Sequence, residues 1–548
     1  MSLVVLAQGA RGYALGAAAR IQGVHQRATA SRKARATRPA AERTASSDVF
    51  VLSVPLFIEL FMQIMVGNVN QMMLAPQGAG AAAAVGNALQ ILNIVTIALS
   101  AMGTATTVLA TRVLGNGAEH KRSLAEIATL GLVVNATLGL AVSAALFAFW
   151  PQFFAWLNID PAVHGMASSY LLIVGSTTLF QGAFFAVTAL LRGFARVGDV
   201  MAASLVMNAV NILLCALLVN GLGPIPAFGV EGSATAAVTA RLVGLVLAVF
   251  MLLRHTDVRP SLQCLRPFPW PTLKGMMRVG IPSSGEQMNY DLAQIVILSF
   301  INVLGTTVVT VKVYCSMLAS IAYLYSIALS QATQIILGYL MGAGKLDVVR
   351  RRVWMADLIA ASLTTAVSLV LWLNFDAVIG LLTPDPLVHE LGRQIMLVEV
   401  FLGIGRALNI VMVRTLIALG DARTPVTVNI AFSWVFAVGG GWLLGVGWGW
   451  GLVGMWVAMC IDEWLRAAFL IVAFARGGWR KRAEAQGLGQ ANKDLSAAAP
   501  HVKNSSFAAP GVKQDEIVGV NAPSFIGVTS LDAQRSATAA DAPDLSLF

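Results

Sequence analysis

The sequence predicts an all-α polytopic membrane protein, with twelve transmembrane helices in two six-helix lobes related by a pseudo-two-fold axis along the membrane normal. Three observations predict it. The 548-residue chain is 57% hydrophobic, has mean hydropathy +0.74 and is only 12% charged, against ~25% charged in a soluble domain. That leaves too few charges to coat a water-facing surface. Its apolar stretches are long and continuous rather than short and alternating, which argues against a β-barrel. Motifs of the first half also recur in the second at a constant offset, as an internal repeat requires.

Taken in order, residues 1–47 are rich in Ala, Arg and Ser, and Glu42 is their only acid. Their apolar run, Leu3–Ala7, is too short for a secretory signal. An organelle transit peptide and a disordered cytoplasmic extension are the two readings. Spans follow near 50–74, 84–112, 123–149, 165–191, 199–220 and 229–253, the N-lobe of residues 48–253. Each run holds roughly the 20 apolar residues that cross a bilayer. A polar connection, 254–274, carries Pro260, Pro267, Pro269 and Pro271 and is read as a cytoplasmic linker. Spans near 275–302, 312–341, 352–374, 391–418, 425–446 and 450–475 form the C-lobe of residues 275–475. Residues 476–548 are Ala-, Ser- and Gly-rich without helical periodicity and are read as a disordered cytoplasmic tail.

Loop charge gives the orientation. One side carries Arg112/Lys121/Arg122, Arg192/Arg196, Arg254/Arg259/Arg266/Lys274, Lys345/Arg350/Arg351/Arg352, Arg423 and Arg476/Arg480. The connections on the other side hold no Lys or Arg beyond Lys312. The positive-inside rule places both termini in the cytoplasm, as an even span count demands. The net charge of +10 is therefore a topology signal, and nucleic acid is not an expected partner.

The repeat is legible in short motifs. Pro55-x-x-x-Glu59 returns as Pro282-x-x-x-Glu286, and Gly115-Asn-Gly117 as Gly342-Ala-Gly344, both 227 residues on. Gly229-Val-Glu-Gly232 is echoed by Gly451-Leu-Val-Gly454. Six spans return the chain to its starting side, so the halves share one orientation and enclose a cavity between them.

Charges inside the spans point to that cavity. A charge at the centre of a span costs about 2.5–3.5 kcal/mol. Glu59, Glu286, Asp291, Glu399 and Arg406 would together cost on the order of 10 kcal/mol facing lipid, so they are expected to face inward. Helical spacing puts Glu59, Gln63, Gly67 and Asn70 on one face, Glu286, Tyr290 and Gln294 on another with Asp291 at its edge, and Glu399, Gly403 and Arg406 on a third beside Asn409. Plainer readings stand beside this one. Glu59 and Glu286 lie in the first turns of their helices, where the dipole favours an acid. Glu399 with Arg406, and Asp462/Glu463 with Arg466, are also readable as structural pairs. Asp357 is expected to pair with Arg350–Arg352, and Arg414 and Arg466 to snorkel toward water.

No G-x-x-x-x-G-K-[ST] phosphate loop is present, so the expected energy source is an ion gradient. At about 2.3 kcal/mol per charge per 100 mV, one coupled cation sustains roughly a fifty-fold solute gradient. The four cysteines form no CxxC, and the histidines fall outside the spans. No resident metal or cofactor is expected, and no paired zinc ligands or nucleophile arrangement mark an enzyme.

Val54-Pro55-Leu-Phe-Ile-Glu59, the Gly115-Asn-Gly117 turn and Gly280-Ile-Pro282-Ser-Ser-Gly-Glu286-Gln287 resemble the multidrug and toxic compound extrusion (MATE) transporters. So do Glu399…Gly405-Arg406-Ala-Leu-Asn409 and Leu419-Gly420-Asp421-Ala-Arg423-Thr424-Pro425, and the resemblance covers about residues 48–475. It implies a secondary active antiporter that takes in H⁺ or Na⁺ and exports amphipathic or cationic small molecules by alternating access. Glu286, Glu399 and Asp291 are the expected coupling residues, with a transient Na⁺ at Glu286/Glu399 as one form of coupling. Glu59, Gln63, Asn70, Tyr290, Gln294, Arg406 and Asn409 are expected to line the cavity. Where the family commonly has an Asp late in span one, this chain has Asn70, which cannot ionise. The alternative cargo is a lipid-linked saccharide or peptidoglycan precursor, moved by a flippase of the same plan. A monomer in the bacterial plasma membrane is expected, with a plastid or other organelle membrane as the alternative.

Overall fold

The computed structural model describes residues 49–116, 121–156, 159–221 and 226–485. The basic extension 1–47 and the tail beyond residue 485 lie outside the described residues.

Twelve helical spans follow in order. The N-lobe has α1 (Val49–Leu74), α2 (Ala79–Gly115), α3 (Lys121–Trp156), α4 (segments His164–Gly175 and Thr178–Gly193), α5 (Val197–Asn220) and α6 (Gly229–His255). The C-lobe has α7 (Trp270–Asn302), α8 (Thr306–Gly342), α9 (Leu346–Leu373), α10 (Pro386–Ala418), α11 (Arg423–Phe432, continued by Ser433–Gly439 and Trp442–Gly447) and α12 (Gly451–Ala475). Nine of these helices are long and apolar enough to cross a bilayer as single pieces, and the two segments of α4, bent by 46°, make a tenth. The remaining two, α7 and α12, are polar at mid-span. One carries Glu286, Asn289, Asp291 and Gln294, the other Asp462, Glu463 and Arg466. In water-free surroundings such helices hold only where neighbouring helices cover their polar faces. Helix α7 starts at Trp270, inside the stretch read as linker, and a short helix, Gly478–Ala485, lies inside the stretch read as tail.

The local reasons are visible at the helix ends. The Asp385 carboxylate accepts the Leu387 amide at 3.0 Å and Pro386 opens the first turn of α10, a cap that satisfies a donor the helix cannot. Helices α2 and α8, each 37 residues, are entered through Gly78 (φ 101°) and Gly305 (φ 103°), again 227 residues apart. Only glycine adopts that backbone without strain. The wide turns of α11 between Ser433 and Gly447 fall in its glycine-rich stretch.

The lobes meet along α1, α2, α7 and α8: α2 packs on both α7 and α8, and α8 on α1. Cytoplasm-side contacts, taking the Arg-rich end as that side, close the seam with repeat-related residues. Gly115 and Gly342 face one another so closely that a Cβ on either would stand 2.4 or 2.1 Å from a carbonyl oxygen of the other helix. Arg112 Nη2 donates to the Ala418 carbonyl at the end of α10 (2.7 Å), and the hydroxyl of its repeat counterpart, Tyr339, donates to Gly193 at the end of α4 (2.8 Å). In each case a donor from one lobe meets the carbonyl-rich end of a helix in the other, where positive charge is favoured. One hydrophobic core crosses the seam here, joining Leu52, Leu56 and Val108 to Ile335, Leu340 and Leu416. At the opposite end the lobes have separate cores, one around Leu74, Phe154 and Leu171 and the other around Ile301, Phe375 and Ile395.

Candidate functional site

The polar faces of α7, α10 and α12 meet inside the C-lobe. Glu399, 1% exposed, accepts from Arg406 Nη1 at 2.9 Å and from the Trp456 indole at 3.0 Å. Arg406 Nε lies 3.5 Å from Glu463, and the guanidinium sits 4.9 Å over the Tyr323 ring. Glu463 also takes Arg466 at 3.1 Å and the Asn409 amide at 2.8 Å, while Arg466 binds Asp462 one turn away. Glu286 accepts from Asn429 at 3.0 Å.

Two cavities open onto this network. One, about 200 Å³, is walled by Glu286, Tyr290, Tyr323, Arg406, Arg414 and Glu463 among others. The other, about 190 Å³, is walled by Gln294, Lys312, Glu399 and Trp456, and shares Tyr290, Tyr323 and Arg406 with the first. Four carboxylates (Glu286, Glu399, Asp462, Glu463), three guanidiniums (Arg406, Arg414, Arg466) and the Lys312 amine line the cluster. With every group ionised these charges balance, and in a network this enclosed the gain or loss of one charge acts on every other. Among the described residues no group of three or more His, Cys, Asp or Glu could hold a metal ion.

The structure sorts the expected site residues. Glu286, Glu399, Tyr290, Gln294, Arg406 and Asn409 all reach this network, though Glu286 and Glu399 open onto adjoining cavities rather than one. Asp291 is half-buried and accepts from the Gln287 amide at 3.5 Å. In the N-lobe, Glu59 is 2% exposed and closed off by Arg192 at 2.6 Å and Ser204 at 3.3 Å. Asn70 donates to Asn211 at 2.7 Å, and Gln63 is exposed. Thus the repeat-related pair Glu59 and Glu286 differ: the first is bound into an ion pair. The second shares a cavity wall with Arg414, yet no ion pair within 4.0 Å joins them among the described residues.

Several participants escaped the sequence reading. The local pairing on α12 was legible from its i,i+3 and i,i+4 spacing, but not that Glu463 also binds α10. Arg414 does not snorkel away; it stands on the cavity wall. Arg466 does not reach water either and is buried, at 4% exposed. Asp357 is not paired with Arg350–Arg352: it is 2% exposed and neither carboxylate oxygen has a partner. Trp456 and Tyr323, aromatic residues in apolar helices, carry no distinguishing sequence signal.

Two like-built six-helix lobes, one of them holding cavities lined by charged side chains, define a class, the two-lobed membrane transporters. The chain belongs to the MatE family, whose model matches it twice, over residues 55–217 and 282–443. It is 29% identical over 450 residues to an uncharacterized transporter of Bacillus subtilis, YisQ, covering 82% of this chain and 97% of that one. It is 22% identical over 444 residues to the "Probable multidrug resistance protein NorM" of Thermotoga maritima, covering 80% and 93%. A solved outward-facing multidrug resistance MATE transporter of the MOP superfamily superposes with TM-score 0.73 at 20% identity, covering 82% of this chain and 99% of that one. A MOP superfamily transporter of Pyrococcus furiosus, described by the reverse polarity of its binding pocket, gives 0.74 at 20% identity, covering 82% and 99%. Identities this low speak for the fold.

Proposed function

We propose that the protein is a secondary active antiporter that exports amphipathic or cationic compounds by alternating access, driven by H⁺ or Na⁺. The observation that carries this reading is the set of carboxylates, Glu286, Glu399 and Glu463, on the walls of two adjoining C-lobe cavities. A buried carboxylate that answers either a proton or a cation couples two solutes when each displaces the other. Glu286 and Glu399 are the coupling residues in this proposal. Asp291, half-buried and off the network, has a supporting role. In the N-lobe the corresponding positions hold Glu59, ion-paired with Arg192, and an amide at Asn70. Relatives named as multidrug resistance proteins support the substrate class. Taking residues 48–253 and 275–475 as the two lobes, with both termini cytoplasmic, the closed Arg-rich end corresponds to an outward-facing state.

Everted membrane vesicles test this directly. A pH gradient or a sodium gradient, imposed separately, should drive uptake of a cationic dye. Glu286→Gln and Glu399→Gln should abolish the driven component while the protein stays in the membrane. Undiminished gradient-driven transport in both variants would overturn the assignment.

A further inference from the structure

A third cavity, about 160 Å³, lies between the lobes rather than inside one. Its walls come from α2 and α4 on one side and α8 and α10 on the other. Thr104 and Thr107 of α2 face it together with their repeat counterparts Gln331 and Gln334 of α8. Into the same space come two arginines from opposite lobes, Arg192 of α4 and Arg414 of α10. No carboxylate lines this cavity.

Its hydrogen-bonding capacity is lopsided toward donors. Arg192 spends Nη2 on Glu59, but its Nε is buried and has no acceptor. Gln334 is 5% exposed, and its Nε2 likewise has no acceptor. Arg414 makes no ion pair within 4.0 Å among the described residues. Glu59 balances Arg192 from outside the cavity, so the charge left to attract an anion here is that of Arg414. Unmet buried donors are themselves unfavourable.

We propose that this inter-lobe cavity binds an oxyanion group, phosphate in chemistry, held between Arg192 and Arg414 with Gln334 donating to it. Planar guanidiniums match the paired oxygens of such an anion, and the volume holds a phosphate group with several waters, each ~30 Å³. Because one arginine belongs to each lobe and the cavity sits one turn from the Thr111–Gly338 contact, the bound anion ties the lobes together at their closed end. Free inorganic phosphate and a lipid headgroup carry the same chemistry. The inference concerns binding and does not rest on the coupling reading above.

The test is isothermal titration of the full-length protein, purified in neutral detergent without phosphate and with chloride as the background ion. Inorganic phosphate is titrated in one arm and a short-chain phosphatidic acid in the other. Saturable binding of one anion per chain is expected in at least one arm, and the tighter arm identifies the source. Arg414→Gln should weaken it at least tenfold and Gln334→Leu several-fold. If Arg414→Gln does not yield a monodisperse protein, Gln334→Leu decides alone. No saturation with either anion, or affinities unchanged in the folded variants, overturns the proposal.

Discussion

Replacing Arg406 by Met isolates how much the C-lobe network depends on its central cation. The guanidinium is 7% exposed and serves Glu399 at 2.9 Å and Glu463 at 3.5 Å. Glu463 keeps Arg466 and Asn409 after the change, but Glu399 keeps only the Trp456 indole. One buried carboxylate is thus left without a counter-charge, for which the expected loss is about 3–5 kcal/mol. A second change, Glu399→Gln, removes the stranded charge and should restore most of that loss. The assay is the melting temperature of the purified protein in detergent, read by the fraction remaining monodisperse. The expected ranking is wild type, then Arg406→Met/Glu399→Gln, then Arg406→Met well below both. Equal melting of the single and double variants would refute the reasoning, because the defect would then lie in packing rather than in an unpaired charge.

Glu59→Gln strands Arg192 in the same way and should lower the melting temperature by an amount equivalent to about 2–4 kcal/mol, whereas Glu286→Gln, which leaves the Asn429 contact in place, should shift it little. Asp357→Asn should raise the melting temperature at neutral pH, since the carboxylate it replaces is buried with both oxygens unpartnered; a lower value would show that the acid has a partner there. Gly342→Val should force α2 and α8 apart, because its first side-chain carbon already meets the Arg112 carbonyl at 2.1 Å. In a cysteine-free background, Thr111→Cys should then react with a maleimide far faster than with Gly342 intact.

The fold was legible because its signals are local. Runs such as 199–220 and 229–253 announce themselves by hydropathy, and the helices Val197–Asn220 and Gly229–His255 fall within two residues of them. The repeat was visible for the same reason, since Pro55/Pro282 and Gly115/Gly342 keep one spacing. The stripes Glu286–Tyr290–Gln294 and Glu399–Gly403–Arg406 were readable from helical geometry. What could not be read was which face of α12 turns toward α10. Asp462, Glu463 and Arg466 satisfy one another locally, so their spacing is equally compatible with a face on water. Arg414 was misplaced because nearness to a helix end suggests an escape to the interface, and only the packing of α4 and α8 around it closes that route. Asp357 was misjudged because residues one turn away on the same helix were assumed to reach it.

The bare crossing of Gly115 and Gly342 has a mechanical consequence. Where two helices meet through interleaved side chains, parting them means undoing rotamers and exposing large apolar groups. Here backbone rests on backbone, so the crossing itself holds no interleaved side chains, and the apolar groups that parting it would expose belong to the core around it. Such a joint tolerates no spacer: a single carbon on either glycine holds the two helices off their common seat.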